Sequence, residues 1–347
     1  MNGGRYLIVK LSALGDVAMA STLPGAIRAR DANAHVTWLC GGGAADLVRL
    51  FAEVNEVVVV DERSLLRGSA FGRVTALVSA WRLLAGRRFD EILMAHADRR
   101  FQALVLPVRA SRVRRLSHGP SPDMLPIPGR YHGDEYIRLL DDESRGPIAG
   151  HAPLADVRPF LPTTSAVHAG VVLVPGGARN VLRESALKRW PIERYRDLAT
   201  RLRRAGITVT LVGDAADAWV RPHFDGLDVH DRIGAHDVVG TLGVLNAADL
   251  VIAHDTGPMH LARLVRAPLI ALFGPTTPSQ FVIEDAATSV IWGGASLACR
   301  PCYDGREFAA CSNNLCMQDI PVAAVADRAL AMLARHPSAR PASLVAT

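Results

Sequence analysis

The sequence predicts an α/β protein built from two Rossmann-like lobes, each a parallel sheet wrapped by helices. Three observations predict it. The first is a pair of turn motifs, KLSALGDVAMA (10–20) and HDTGPMHLA (254–262), each set between an apolar strand-like run and a helix-like run. The second is βαβα alternation on either side of a stretch from about 141 to 168 that is rich in Pro, Asp, Gly and Ser and has no clear period. The third is size and composition. A chain of 347 residues with many aliphatic side chains and only 5% aromatic residues suffices for two domains with buried parallel strands.

Tyr6–Leu11 reads as the first strand and about Asp16 to Arg30 as a helix. His35–Cys40 is a second strand, and Gly41, Gly42 and Gly43 lead into a short helix. Val57–Val60 continues the alternation, and Glu91–Ala95 follows a helix containing Trp81. The 141–168 stretch is taken as the interdomain linker, after which the pattern restarts with strand Val171–Val174. From about Ile192 to Arg204, residues Tyr195, Leu198, Ala199 and Leu202 keep the i, i+3, i+4, i+7 spacing of one buried helix face. Pro191 belongs to the first turn of that helix and Gly206 stops it. Ile207–Val212, Leu250–Ala253 and Leu269–Phe273 are further buried strands. The expected domains are therefore 1–160 and 165–321; in 322–347, a helix from about Val322 to Arg335 is expected to pack back on the first domain, followed by a tail.

The formal charge of +5 is modest, so nucleic-acid binding is not demanded. Its distribution says more, because six arginines and no acid lie between Arg99 and Arg115. That run is either a solvated loop face or a surface for an anionic acceptor or anionic lipid headgroups, with Arg99 and Arg100 nearest the acceptor. The first apolar run carries Lys10 and has no cleavage-like ending, and no apolar run approaches the ~18 residues that span a bilayer. A cytoplasmic protein, peripheral on the inner membrane, is expected.

Both turn motifs place an acid, a hydroxyl and a glycine where a helix begins. Helix N-termini present unpaired N–H groups and a positive dipole end, which suit a phosphate or a reacting oxyanion. Asp16 is either a helix cap or a general base at the C-terminal edge of a parallel sheet, where such folds bind ligands. Ser12 and Gly15 fit the tight turn in either case. In the second half, PGGARN (175–180) reads as a ligand loop that Gly176 and Gly177 permit. Lys188 and Arg189 are a solvated basic pair, or Lys188 neutralises charge growing on a leaving diphosphate. Asp214 and Asp217 are turn residues or ribose-binding acids. Asp255, Thr256 and Gly257 form the turn before Met259 and His260, and the backbone N–H groups at Thr256 to Met259 suit a pyrophosphate. His260 is either packed in the core or on the phosphate side. FGPTTP (273–278) adds a strand-end turn with two hydroxyls. There is no D-x-D triplet to hold a divalent metal under a nucleotide diphosphate, so cationic side chains and helix ends must offset its charge.

LIVKLSALGDV, KRWP, AHDTGPMHLA and LFGPTTP, in that order across roughly residues 5–320, resemble glycosyltransferase family 9. That family is typified by the ADP-heptose:lipopolysaccharide heptosyltransferases. The resemblance implies a GT-B fold, with an acceptor lobe first, a nucleotide-sugar lobe second and a central cleft between. It implies inverting, metal-independent transfer of heptose from ADP-heptose to a lipopolysaccharide-core or other glycan hydroxyl. Asp16 falls on the family's catalytic base and Lys188 on its phosphate-binding lysine. Asp255, Thr256, Gly257 and His260 fall on its diphosphate-binding turn, and Asp217 falls near its nucleoside-contacting acid. The loop GGARNVLRESAL is longer than in typical members and lacks their paired hydroxyls. Other readings are a protein (autotransporter-type) heptosyltransferase, another nucleotide-sugar enzyme of this fold, and a non-catalytic sugar-nucleotide-binding protein. GGGAAD (41–46) is a poor match to a dehydrogenase G-x-G-x-x-G. Asp16 and Lys188 together argue against a mere binder.

Cys299, Cys302, Cys311 and Cys316 form C-x2-C-x8-C-x4-C. Such a cluster could hold a structural zinc or iron in a closed tetrahedral site, remain as reduced thiols, or pair as disulfides. Four thiolates leave no open position, so no catalytic cofactor is expected there. Some family members carry similar clusters, and an iron-binding one is implied for a protein-glycosylating branch. Tyr303, Asp304, Gly305 and Arg306 lie between the cysteines and are expected to border the cleft.

Overall fold

The structure is a computed structural model and describes residues 3–96, 99–116, 129–140, 150–162, 168–303 and 308–335. Two compact units divide the chain. One comprises residues 1–161 with 179–184 and 279–282; the other comprises 162–178, 185–278 and 283–347.

The first unit holds five parallel strands: β1 (Arg5–Val9), β2 (His35–Gly41), β3 (Glu56–Val60), β4 (Arg88–Met94) and β5 (Arg109–Arg115). Their order is β3-β2-β1-β4-β5, so the direction of winding reverses between β1 and β4. Leu7, Val9, Leu39, Val58, Val60, Ile92 and Met94 supply one side of the core. The helix expected over 16–30 is two helices, α1 (Leu14–Ala20) and α2 (Thr22–Arg30). Pro24 explains the break, since it has no N–H for the carbonyl one turn back and crowds that carbonyl. The Ser21 and Thr22 hydroxyls cover the freed end by donating to the Ala18 and Met19 carbonyls. Helix α3 (Glu62–Arg67) and helix α4 (Ala70–Leu84) follow β3, and Asp61 and Ser69 cap them by accepting from the Ser64 and Gly72 N–H groups. The Arg99–Arg115 run is not a loop. It forms a 3-10 helix over Arg99–Val105 and then the edge strand β5. An edge strand buries little of its side-chain surface, so RASRVRR carries no hydrophobic alternation to announce it.

The second unit holds β6 (Gly170–Val174), β7 (Val209–Gly213), β8 (His230–Ile233), β9 (Ala248–His254), β10 (Leu269–Phe273) and β11 (Thr288–Trp292). The order is β11-β10-β9-β6-β7-β8, all parallel, with the reversal between β6 and β9. Every residue of β6 and of β10 is buried, as expected of strands covered on both faces. Helix α5 (Ile192–Arg204) buries Tyr195, Leu198, Ala199 and Leu202, the face its spacing predicted. Pro191 stands at its N-cap, one residue before the first turn, and Gly206 follows its end at φ +75°. Helix α6 (Gly257–Leu264) follows β9. Helix α7 (Val322–Arg335) packs against α5, β9 and β10, burying Val325, Ala326, Ala329 and Met332. The expectation that it packs on the first domain is thereby corrected: its apolar stripe completes the core of the unit that contains it. Most of the presumed linker (141–149 and 163–167) and the tail after 335 lie outside the described residues.

Candidate active site

Open parallel sheets bind ligands where the strand order reverses, at the C-terminal strand ends. In the second unit that point lies between β6 and β9, and it gathers the PGG loop and the HDTG turn. Asp255 is the centre. Its carboxylate is buried and faces the Lys188 Nζ at 2.7 Å, accepts from the Thr276 hydroxyl at 2.9 Å, and lies 3.8 Å from His260 Nε2. Burial alone would raise its pKa; the Lys188 charge and then His260 outweigh burial and hold it well below the usual carboxylate range. Lys188 ends the short 3-10 turn Ala186–Lys188, and its Nζ also lies 5.9 Å from the Phe308 ring centroid.

The PGG loop is tied to both neighbouring turns. The Asp217 carboxylate accepts from Gly177 N–H at 2.9 Å and from Asp214 N–H at 3.0 Å. The Thr256 hydroxyl accepts from Ala178 N–H at 2.8 Å. These contacts explain the glycines. A Cβ on Gly176 would stand 2.4 Å from Asp217 Cγ, and one on Gly177, at φ +78°, would stand 2.5 Å from Thr256 Oγ1. Arg189 braces the loop from below by donating to the Gly177 carbonyl, while its guanidinium lies 5.3 Å from the Trp219 ring centroid. Behind the turn, burial first and Arg189 second lower the His254 pKa to about 3, so this ring is neutral beside the Tyr195 hydroxyl at 3.1 Å.

In the first unit the reversal lies between β1 and β4. Lys10 is buried, with its Nζ 3.2 Å from Asp16 Oδ2 and 5.4 Å from the Tyr136 ring centroid. Asp16 lies in the first turn of α1, whose N-cap position belongs to Ala13. Leu11 N–H donates to His96 Nε2 at 2.8 Å, joining the ends of the two strands. That bond requires an unprotonated Nε2, and burial, with Lys10 second, lowers the His96 pKa well below its ordinary value. Ser12 donates to Glu62. Burial pushes the Glu62 carboxyl up, and the Ser12 hydrogen bond and Lys10 offset this only in part. Burial, followed by the Asp16 charge, holds the Tyr136 phenol well above its usual range.

The structure thus gathers Gly176, Gly177, Lys188, Asp217, Asp255, Thr256 and His260 at one switch point and Ser12 and Asp16 at the other. Gly257 is the first residue of α6. Met259 is fully buried and its N–H donates to the Thr256 carbonyl, so its contribution is to the core and the turn. Gly15 is buried in α1. Arg99 opens the 3-10 helix before β5, and Arg100 is exposed beside it. Asp304, Gly305 and Arg306 lie outside the described residues, and Tyr303 stacks near Phe308. The roles of Lys10, Glu62, His96, Tyr136 and Arg189 were not anticipated. Lys10 and Arg189 belong to motifs that were singled out, and Thr276 is one of the two FGPTTP hydroxyls.

Cys299, Cys302, Cys311 and Cys316 all line one small cavity with Leu187, Leu297 and Asn314. Burial, followed by neighbouring thiols, raises the pKa of Cys302 and of Cys316. Among the described residues no group of three or more His, Cys, Asp or Glu is arranged to hold a metal ion.

Two doubly wound parallel sheets, each with a cation–carboxylate pair at its switch point, are the architecture of a GT-B fold. Comparison with known proteins agrees. The model of glycosyltransferase family 9 (heptosyltransferase) matches residues 165–308. Lipopolysaccharide heptosyltransferase 1 of Escherichia coli K12 is 27% identical over 307 residues, which are 79% of this chain and 89% of that protein. A family 9 glycosyltransferase from Veillonella parvula superposes with TM-score 0.74 at 20% identity, covering 96% of this chain and 98% of that one. An E. coli structure described as ADP-heptose lps heptosyltransferase II gives TM-score 0.69 at 18% identity, covering 96% and 100%. Over residues 165–308 the chain matches glycosyltransferase family 9, and it is a glycosyltransferase.

Proposed function

We propose that the protein moves heptose from ADP-heptose to a hydroxyl of a lipopolysaccharide-core acceptor, by a single inverting displacement that needs no metal. The observation that carries this reading is the buried cradle of Lys188, Asp255, Thr256 and His260 at the second switch point. The names of the similar E. coli proteins supply the donor and acceptor class.

Asp16 removes the proton of the acceptor hydroxyl as its oxygen attacks the anomeric carbon. The bond from that carbon to the diphosphate oxygen breaks on the opposite face, and ADP leaves with the electron pair. Lys188 has three N–H donors and spends one direction on Asp255, so it can hold the diphosphate while remaining anchored. The Thr256 and Gly257 N–H groups and the positive end of α6 complement the same charge, since Pro258 has no N–H and that of Met259 goes to the Thr256 carbonyl. Cationic groups and helix ends take the part that a divalent ion plays where a D-x-D triplet is present.

Mixing ADP-heptose with a lipopolysaccharide-core acceptor should release ADP and give a product of inverted anomeric configuration. Absence of ADP release would leave a sugar-nucleotide binder, and a retained configuration would remove the single-displacement step.

The four thiols are proposed as ligands of a structural zinc or iron. Ligation requires them to turn inward, since they line the cavity without converging. Metal analysis should find one ion per chain that Cys302→Ser abolishes; a metal-free active protein would end this assignment. No helix among the described residues is long and apolar enough to cross a membrane. The proposed setting is the cytoplasm, with peripheral contact at the inner membrane.

A further inference from the structure

We infer that the α3–α4 edge of the first unit is a docking face for an anionic lipid surface. The inference builds on the lipid-borne acceptor of the proposed function and names the surface that would meet it. Residues 63–89 contain six arginines and neither Asp nor Glu. Helix α4 runs through this stretch and buries Ala76, Ala80 and Leu84 against the sheet. Its opposite face repeats at i, i+3, i+7 and carries Phe71, Val74 and Val78. The outward face of a surface helix is ordinarily polar. Here Phe71 is 78% exposed and Val74 57% exposed, and nothing among the described residues covers them.

Charge selects the occupant. Arg63 and Arg67 on α3 and Arg73 in the first turn of α4 are exposed. Exposed apolar side chains accompanied by exposed cations match the boundary between acyl chains and anionic headgroups. Arg67 donates to the Leu182 carbonyl, but a neutral apolar partner would offer no anion to Arg63 and Arg73, and a second copy of the same face would set arginine against arginine. The location fits delivery of substrate. Helix α3, which packs on α4, begins at Glu62, and Glu62 accepts from Ser12 beside Asp16. The first turn of α4 therefore lies at the end of the sheet that carries the proposed base.

The test uses the full chain and vesicles of phosphatidylethanolamine with phosphatidylglycerol, against vesicles of phosphatidylcholine alone. The wild type should co-sediment with the former, be released by high salt, and ignore the latter. Phe71→Asp with Val74→Asp should weaken that partition at least about tenfold, and Arg73→Glu alone about fivefold or more. ADP-heptose affinity and transfer to a water-soluble, delipidated acceptor should stay at wild-type values in both variants, which separates this idea from the transfer reaction itself. Equal binding by wild type and the double variant would overturn the docking face. So would a wild-type dimer that the double variant splits, with vesicle binding by neither.

Discussion

Replacing Lys188 with alanine removes the cation 2.7 Å from a carboxylate that is almost wholly buried. Breaking a buried pair from one side costs about 3–5 kcal/mol, because the remaining charge is left in a medium that solvates it poorly. Thr276 and His260 still face Asp255, so the lower end, about 3 kcal/mol, is expected. For a unit of this size that corresponds to a fall in Tm of about 6–12 °C. The pH dependence follows in sign. In the wild type the Asp255 pKa is depressed, so its pair contributes stability above the unfolded carboxylate value and loses it only as pH falls below that range. Without Lys188, burial dominates and the folded pKa rises above the unfolded one. Lys188→Ala should then gain stability relative to wild type as pH falls from 8 to about 5. Adding Asp255→Asn should restore much of the lost stability at neutral pH and none of the ADP-heptose affinity. Thermal melts across pH, with and without donor, check each arm. An unchanged Tm in Lys188→Ala, or a melting profile that runs parallel to wild type across pH, would refute the reasoning.

Asp16→Asn should lower kcat by about 10² to 10⁴-fold while donor affinity stays within about twofold, measured by ADP release and donor titration. Lys10→Met should move the acid limb of the kcat/KM profile to higher pH, since a cation 3.2 Å from a carboxylate favours its charged form; a profile superimposable on wild type would make Lys10 a packing residue only. Asp217→Ala leaves the Gly177 and Asp214 N–H groups without their acceptor and should cost about 2–4 kcal/mol in urea unfolding, with weakened donor binding.

Much of this architecture can be read from residues alone, and the reason is local. The buried strands β1, β6, β9 and β10 are continuous apolar runs, and α5 shows its inner face through the spacing of Tyr195, Leu198, Ala199 and Leu202. The turn motifs could be placed because strand ends and helix starts have strong chemical signatures. What stayed hidden depends on partners distant in sequence. β5, β8 and β11 are short or polar outer strands whose pairing is set by their neighbours, so HDRI and RASRVRR look like loops. The amphipathic stripe of α7 shows that it packs, yet nothing in it names α5 as the surface it covers. Asp217 has the same ambiguity in reverse. Position suggested a ribose ligand, whereas both its oxygens already accept backbone N–H groups, so its first task is to fix the PGG loop.

The two switch points carry the same pair of residue types, a lysine and an aspartate, and exposure separates their roles. The Asp16 side chain is 38% exposed, while that of Asp255 is 5% exposed. A general base must reach a proton on a molecule arriving from solvent, which Asp16 can do and Asp255 cannot. Asp255 faces Lys188, Thr276 and His260, so its charge is already answered and its effect is to hold those groups in place. The cations divide in the opposite sense. The Lys10 side chain is 5% exposed and serves its aspartate, whereas Lys188 is 18% exposed and can meet a second anion. Matched substitutions should therefore give opposite signatures. Asp16→Asn should remove turnover with little change in Tm, and Asp255→Asn should lower Tm and donor affinity together. If Asp255→Asn kept its Tm and donor affinity and lost only the chemical step, the base would lie in the second unit and the assignment of roles would be reversed.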